Sequence, residues 1–388
     1  MNHAESARVR GRVVGALCQV VLACILTAGL WPFHVPTNAV SWLADQNGLW
    51  FGHHGAAVSA GKFDDFSNAN NDGISLEIWL KPARIASSGG TILAFDSSPN
   101  PSAPFKLAQY GSGIAIQRYF IDEHFELHQF WFRVANVFEG DKEVFVTITS
   151  GKDHTDVYVN GTLAGRSTDP GMSAREVSGR LVLANSTVDD SWAGEIKGLA
   201  LYRTELTSAQ VSDSYQNWIS DRRPFSADGQ LMALYRFDER AGRTARNAVD
   251  ARTDLVIPSR YFVLHKRVLN WDLPQAIETP GSWNLWRDVG LNIAGFVPVG
   301  FVFCAYFQSV KRVFFPALLV IAIGFLLSLT IELTQGLLPN RDSGISDIVT
   351  NTTGTMMGVA FYLFPPIRAL WEKVVDSCLG ISVGDTRG

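Results

Sequence analysis

With 388 residues, 18% of them charged and a formal net charge of −4, the chain is too long for one ordinary domain and lacks the concentrated basic footprint that binds a phosphate backbone, which argues against nucleic acid. Its apolar residues are unevenly spread and gather in four segments long enough to make the lipid bilayer the first expected partner.

Residues 1–12 form a short N-terminus containing Arg8, Arg10 and Arg12, and residues 13–31 (VVGALCQVVLACILTAGLW) form the first predicted span. Its apolar run is longer than a signal peptide's and no Ala-x-Ala pattern closes it, Leu26-Thr27-Ala28 being the nearest, so an uncleaved anchor is expected.

From 45 to 258 the chain reads as short alternating strands broken by turn residues, at 74–82, 91–98, 113–120, 143–151, 155–167, 179–186 and 194–206. Such spacing predicts a two-sheet sandwich or barrel. Asn160-Gly161 supplies the two residues tolerant of positive φ that a tight hairpin turn needs, a better account of Asn160 in Asn-Gly-Thr than glycosylation. One helix is predicted, over 206–218, capped by Thr207 or Ser208, with Val211, Tyr215 and Trp218 on one face. No cysteine falls in this region, so it must fold from its own core: Cys18, Cys24 and Cys304 lie in spans and Cys378 in the tail. Glu77, alone on its strand, reads as solvated; Trp79 and Trp192 either stack on sugar rings or belong to the core. Asn185, Asp189 and Asp190 group hard oxygens of the kind Ca²⁺ takes, or make an ordinary polar loop; no other metal or cofactor is expected.

Residues 259–287 carry Trp271, Trp283 and Trp286, which predicts an interfacial segment or, failing that, a tether. Spans follow at 289–307, 313–335 and 347–365 within a unit 288–366, and a tail occupies 367–388. Arg8, Arg10 and Arg12, then Lys311 and Arg312, then Arg368 and Lys373 all fall on one side of the membrane. By the positive-inside rule that side is cytoplasmic, which puts both termini inside and the strand-rich region outside the plasma (inner) membrane.

The three later spans each carry a polar or small stripe at helical spacing: Asp288, Asn292 and Gly295; Ser328, Glu332 and Gln335; Asp347, Asn351, Gly354 and Gly358. Charged groups facing lipid cost several kcal/mol by some estimates, so these should turn inward, joined by Arg341 and Asp342, while Gly295, Gly354 and Gly358 let the helices approach. A polar pocket opening outward is expected. It either glues the helices, with Arg341 pairing Asp342 or Asp347 and with Glu332 and Asn292 bonding across helices, or binds or processes a polar ligand such as the head group of a lipid-linked glycan.

Two resemblances rest on particular residues. "SLEIWLKP", "DVYVNGTLAG" and "WAGEIKGLALYRTELTSAQV" resemble the laminin G-like, concanavalin A-type jelly roll; "LYRFDERAGRTARNAVD" (234–250) resembles that domain's opening strand but stands after its closing helix, so it either fills the same edge, as in a permuted version, or is a linker. "RDVGLNIAGFVPVGF", "SLTIELTQ" and "NRDSGISDIVTNTTGTMMG" resemble the VanZ-like family, with its Asn-x-x-x-Phe-x-Pro-x-Gly, Glu-x-x-Gln and Arg…Asp-x-x-x-Asn-x-x-Gly-x-x-x-Gly pattern. That resemblance implies a bacterial membrane protein whose founding relative is linked to teicoplanin resistance; the sandwich departs from the minimal member and reads as an insertion between helices one and two.

The expected architecture is therefore a four-span membrane α-helical bundle plus an exported all-β jelly roll that binds carbohydrate or protein, acting in envelope glycan or exopolysaccharide biology. The rival readings are a membrane-embedded hydrolase or transferase using Glu332 and Asp347, and an anchored adhesion module.

Overall fold

The computed structural model describes residues 3–63, 73–84, 90–96, 105–121, 127–168, 177–185, 191–221, 229–263, 268–270, 283–309, 313–339, 341 and 343–380. The chain divides into two compact units, one made of residues 35–266 and the other of residues 1–34 with 267–388.

The 35–266 unit is a sandwich of two antiparallel sheets. The first runs β1 (Val40–Trp42), β2 (Leu49–Phe51), β13 (Gly194–Tyr202), β4 (Ile74–Pro82), β9 (Val144–Ser150), β10 (Thr155–Val159), β11 (Thr162–Ser167), with β14 (Leu231–Tyr235) also on β13. The second runs β15 (Thr244–Ala245), β16 (Leu255–Val256), β3 (Ala57–Ser59), β12 (Arg180–Leu183), β5 (Gly90–Asp96), β6 (Phe105–Tyr110), β7 (Gly113–Ile121), β8 (Leu127–Val134). Alternation decides which residues meet between the sheets: Leu76, Ile78 and Leu80 of β4 and Val146 and Ile148 of β9 join Leu107, Ile114 and Ile116 of the opposite sheet in one core. The segment resembling an opening strand is no linker, since β14 pairs with β13 while β16 joins β15 to β3. The domain's ends meet at a Thr37–Arg260 bridge.

The single helix expected here is α2 (Ser208–Asp221), started by a reciprocal cap in which Thr207 Oγ1 accepts from Gln210 N and Gln210 Oε1 accepts from Thr207 N. Val211 and Trp218 bury against Phe145, Tyr158 and Tyr202 on the far face of the first sheet. Gly198 makes room, because a Cβ there would collide with the Trp218 ring. Glu77 corrects the expectation of a solvated residue. It lies beneath α2 with no exposed surface, and its Oε2 accepts from Tyr202 Oη at 2.9 Å and from Trp218 Nε1 at 3.0 Å. Burial pushes its carboxyl above the usual carboxylate range, outweighing the hydrogen bonds from Ser214, Trp218 and Tyr202. Asn160 and Gly161 both have positive φ, 51° and 78°, at the β10–β11 hairpin.

The other unit consists of α1 (His3–Leu30), α3 (Trp283–Ser309), α4 (Pro316–Gly336), α5 (Ile345–Leu363) and α6 (Pro365–Cys378). Among the described residues, three helical stretches are long and apolar enough to cross a membrane: Arg8–Leu30, Trp286–Ser309 and Pro316–Gly336. The fourth predicted span corresponds to α5, a 19-residue helix that is not among those three, its N-terminal half being rich in Asp, Asn and Thr. Helices α3 and α5 touch backbone to backbone: a Cβ on Gly354 would strike the carbonyl oxygen of Ile293, one on Gly358 that of Val297, and one on Gly300 that of Thr355. Gly295 behaves otherwise than expected, since nothing lies within 4 Å of a Cβ built there. The tail is not featureless; α6 is amphipathic, with Leu370 and Val374 exposed and Asp376 bound to Arg10 at 2.6 Å.

Candidate functional site

Polar side chains from α3, α4, α5 and the α4–α5 loop converge at one end of the helical unit. Ser328, Glu332 and Gln335 sit on successive turns of α4 and are all buried, Glu332 to 2% exposure. Glu332 Oε2 accepts from Gly344 N at 2.9 Å, and Gly344 is the N-cap residue of α5, so the carboxylate ties the end of one helix to the start of the next. Asn351, one turn beyond Asp347, donates to Ser328 Oγ at 2.9 Å, and Asn292 donates to Asp347 Oδ1 at 2.9 Å. Asp347 lies in the first turn of α5, where exposed amide N–H groups favour a negative charge.

Helix α1 completes the site, which the sequence reading did not foresee. The Gly29 carbonyl, at the C-terminal turn of α1, accepts from Gln335 Nε2 at 2.6 Å and from Arg341 Nη2 at 3.0 Å. Gly29 fits closely there, because a Cβ would lie 3.0 Å from the Ile331 side chain, which would have to give way. The chain also brings back residues 268–270, whose Asn270 N donates to Ser343 O and whose carbonyl accepts from Ile345 N, bracing the loop that carries Arg341.

Between these groups lies a cavity of about 220 Å³ bordered by Asn292, Glu332, Gln335, Arg341, Asp347 and Asn351, with Ile25, Phe296 and Ile331 as apolar wall. At about 30 Å³ per water it has room for a handful of waters or one small polar group. Asn351 is 5% exposed, and its Oδ1 has no hydrogen-bond partner among the described residues. Exchanging the amide's O and N would move the shortfall to the nitrogen, so one atom of Asn351 stays unsatisfied either way. Six of the nine pocket residues expected from sequence border this cavity, and a seventh, Ser328, is tied to it through Asn351. Asp288 is not, being 61% exposed and set against Arg287 at 3.5 Å; it lies too near the start of α3 to reach the others. Asp342 lies outside the described residues. Gly295 borders the cavity instead of a neighbouring helix.

In the sandwich, Asn185 is buried and donates to Phe262 O at 3.1 Å, while Asp189 and Asp190 lie outside the described residues. Among the described residues no group of three or more His, Cys, Asp or Glu side chains is placed to hold a metal. Trp192 is a core residue donating to Gln109 Oε1 at 2.7 Å, and Trp79 packs under α2. Different aromatics reach the surface. Trp131 of β8 and Tyr110 of β6 are 44% and 51% exposed, and the Arg133 guanidinium lies 4.5 Å from the Tyr110 ring and 5.2 Å from the Trp131 ring. Phe130 and Phe132 face inward and Trp131 and Arg133 outward, an alternation that the three consecutive aromatics of "LHQFWFRV" hide in the sequence. Trp286 is exposed, whereas Trp271 and the Trp283 side chain lie outside the described residues.

Residues 232–367 match the VanZ/LLP1 family and residues 54–212 match the concanavalin A-like lectin/glucanases superfamily. The chain carries a VanZ-like domain and a concanavalin A-like jelly roll. The VanZ match begins inside β14, which by its pairing belongs to the jelly roll, so the structural boundary lies about a strand and a hairpin later than the sequence match. No curated protein matches the chain. Solved structures similar to it include a putative carbohydrate binding protein from Bacteroides ovatus (12% identity, TM-score 0.37, covering 57% of this chain and 58% of that one). Two others are the receptor binding domain of botulinum neurotoxin D (15% identity, TM-score 0.37, 48% of each chain) and the binding domain of botulinum neurotoxin DC in complex with rat synaptotagmin II (18%, 0.35, 47% and 46%). The chain spans about half the length of these structures.

Proposed function

We propose that the VanZ-like domain binds the polar head of a lipid-linked glycan at the outer face of the plasma membrane, and that the jelly roll engages glycan or protein on the same side. The observation that carries this is the cavity in which Glu332, Arg341, Asp347 and the half-satisfied Asn351 converge at the end of apolar helices. Ionisable groups are retained at such depth when they serve a ligand, and the mixture of cation, carboxylates and amides suits hydroxyls and a phosphate. The exposed Trp131–Arg133–Tyr110 row supports the glycan half, since flat aromatic faces beside a guanidinium offer a sugar ring both stacking and hydrogen bonding. The basic residues flanking the spans support an orientation with both termini cytoplasmic; a reporter fused within residues 35–266 and found in the cytosol would overturn it.

The test is Glu332→Gln in the full chain. The isosteric amide keeps an acceptor for Gly344 N, so the protein should remain folded in the membrane while retention of a polyprenyl-phosphate-linked sugar in native mass spectrometry falls about tenfold or more, the loss expected when one charge-assisted contact is removed. Unchanged retention, or loss of the folded protein itself, would favour helix glue. Release of free sugar by the wild type, absent in E332Q and Asp347→Asn, would instead establish the hydrolase or transferase reading.

A further inference from the structure

A second and larger cavity, of about 1000 Å³, opens between α1 and α3 around the N-terminal half of α1, the opposite end of that helix from Gly29. Its volume is at the top of the range of about 300–1,000 Å³ typical of ligand sites. The hollow has a local cause. Gly11, Gly15 and Ala16 leave one face of α1 without bulk, and the Tyr306 ring lies over Gly15 at 3.3 Å from where a Cβ would sit.

The lining is sharply divided by chemistry. Arg8, Arg10 and Arg12 surround one end, and among the described residues no carboxylate borders the cavity. Arg10 is held by Asp376 at 2.6 Å, yet its buried Nε has no hydrogen-bond partner among the described residues; Arg8 and Arg12 are exposed, and no described carboxylate pairs with either. Farther along, Leu22, Phe303 and Phe307 make the wall apolar. Both helices belong to the stretches able to cross a membrane, so in a bilayer this wall would lie at hydrocarbon depth and the arginines at the level of head groups.

We propose that this groove is a binding site for one anionic phospholipid, its phosphate between Arg8 and Arg12 and an acyl chain lying over Gly15 and Ala16 against Phe303 and Phe307. A water-soluble anion would leave the apolar wall unused, and a second copy of the chain would bring like charges together. A zwitterionic lipid would cancel at its amine what it gains at its phosphate. The proposal is independent of the Glu332 cavity, which lies at the other end of α1.

The experiment is native mass spectrometry of the full chain released from nanodiscs containing equal phosphatidylglycerol and phosphatidylcholine. Preferential retention of phosphatidylglycerol is expected, falling about tenfold or more in Arg8→Gln/Arg12→Gln, since each basic residue near an anionic surface contributes roughly a fivefold factor. Ala16→Trp fills the hollow with every charge in place and should remove the preference as well. If A16W keeps it, the arginines merely attract the lipid surface and the site is wrong; equal retention of both lipids by the wild type also overturns it. Should A16W not fold, phosphatidylglycerol with a photoactivatable acyl chain must label the 303–307 segment in the wild type, and labelling confined to other faces rejects the groove.

Discussion

Glu77 shows how far a residue's setting can reverse its character. The unfolded chain releases the Glu77 proton as pH rises past about 4.3, whereas the folded sandwich holds it to higher pH because burial disfavours the anion. Between those values the native state binds the extra proton. Stability is therefore fully present below the unfolded pKa and falls as pH climbs through the folded one. Glu77→Gln, uncharged throughout, should flatten that decline in urea denaturation of residues 35–263 between pH 4 and pH 8; parallel slopes for the two proteins would reject the assignment. Asn160 makes a second case. Its side chain accepts from Phe145 N at 3.0 Å while its backbone sits at φ 51°, so Asn160→Ala should cost about 1–2 kcal/mol in the same measurement through the left-handed conformation. The turn was legible because Asn-Gly encodes it locally. The buried carboxyl was not, because the helix that covers it stands well over a hundred residues away in the chain.

At the scale of elements, the four apolar segments, the cap of α2 and most strands follow from periodicity. Among the strands that escaped, β1 to β3 and β16 are short, and β6 and β8 lack clean alternation of apolar and polar residues, as with the aromatic run of β8. Helix α6 escaped because its amphipathic face looks like a charged tail. Small residues proved ambiguous in the same way. Gly354 and Gly295 occupy matching places in their stripes, yet a Cβ at the first meets the α3 backbone and at the second meets nothing. Gly354→Ala should lower the stability of the helical unit by at least ~2 kcal/mol, because a backbone cannot rotate away as a side chain can. Gly295→Ala should be neutral or gain up to ~1 kcal/mol from helix propensity. Thermal unfolding of both in detergent checks the contrast; equal losses would mean that α3 and α5 do not pack through these glycines.

At the scale of the molecule, the sandwich of residues 35–266 interrupts the helical unit in sequence, standing between α1 and the helices α3 to α6. The insertion is tolerable because the sandwich closes on itself: Thr37 and Arg260 are bridged, and Asn38 N donates to Ser259 O at 3.3 Å. Replacing 38–259 by a short Gly–Ser linker should leave the helical unit folded, with its helical circular dichroism and thermal midpoint retained in detergent; collapse of that signal would show that the two units do not fold independently. If the same deletion leaves every envelope phenotype unchanged, the adhesion role fails.

What the amino-acid order settled by itself was local: which segments are apolar enough for lipid, which alternate as strands, where Asn160-Gly161 turns and where Thr207 caps. It also placed Ser328, Glu332, Gln335, Asp347 and Asn351 on single helix faces, since helical spacing is a property of the chain alone. Only the tertiary structure decided that Gly29 of α1 belongs with them, that Asp288 does not, that Glu77 lies in the dark beneath Trp218 and that Trp131 faces out. Those outcomes depend on which surfaces cover one another across long separations in sequence. No periodicity within a segment records that.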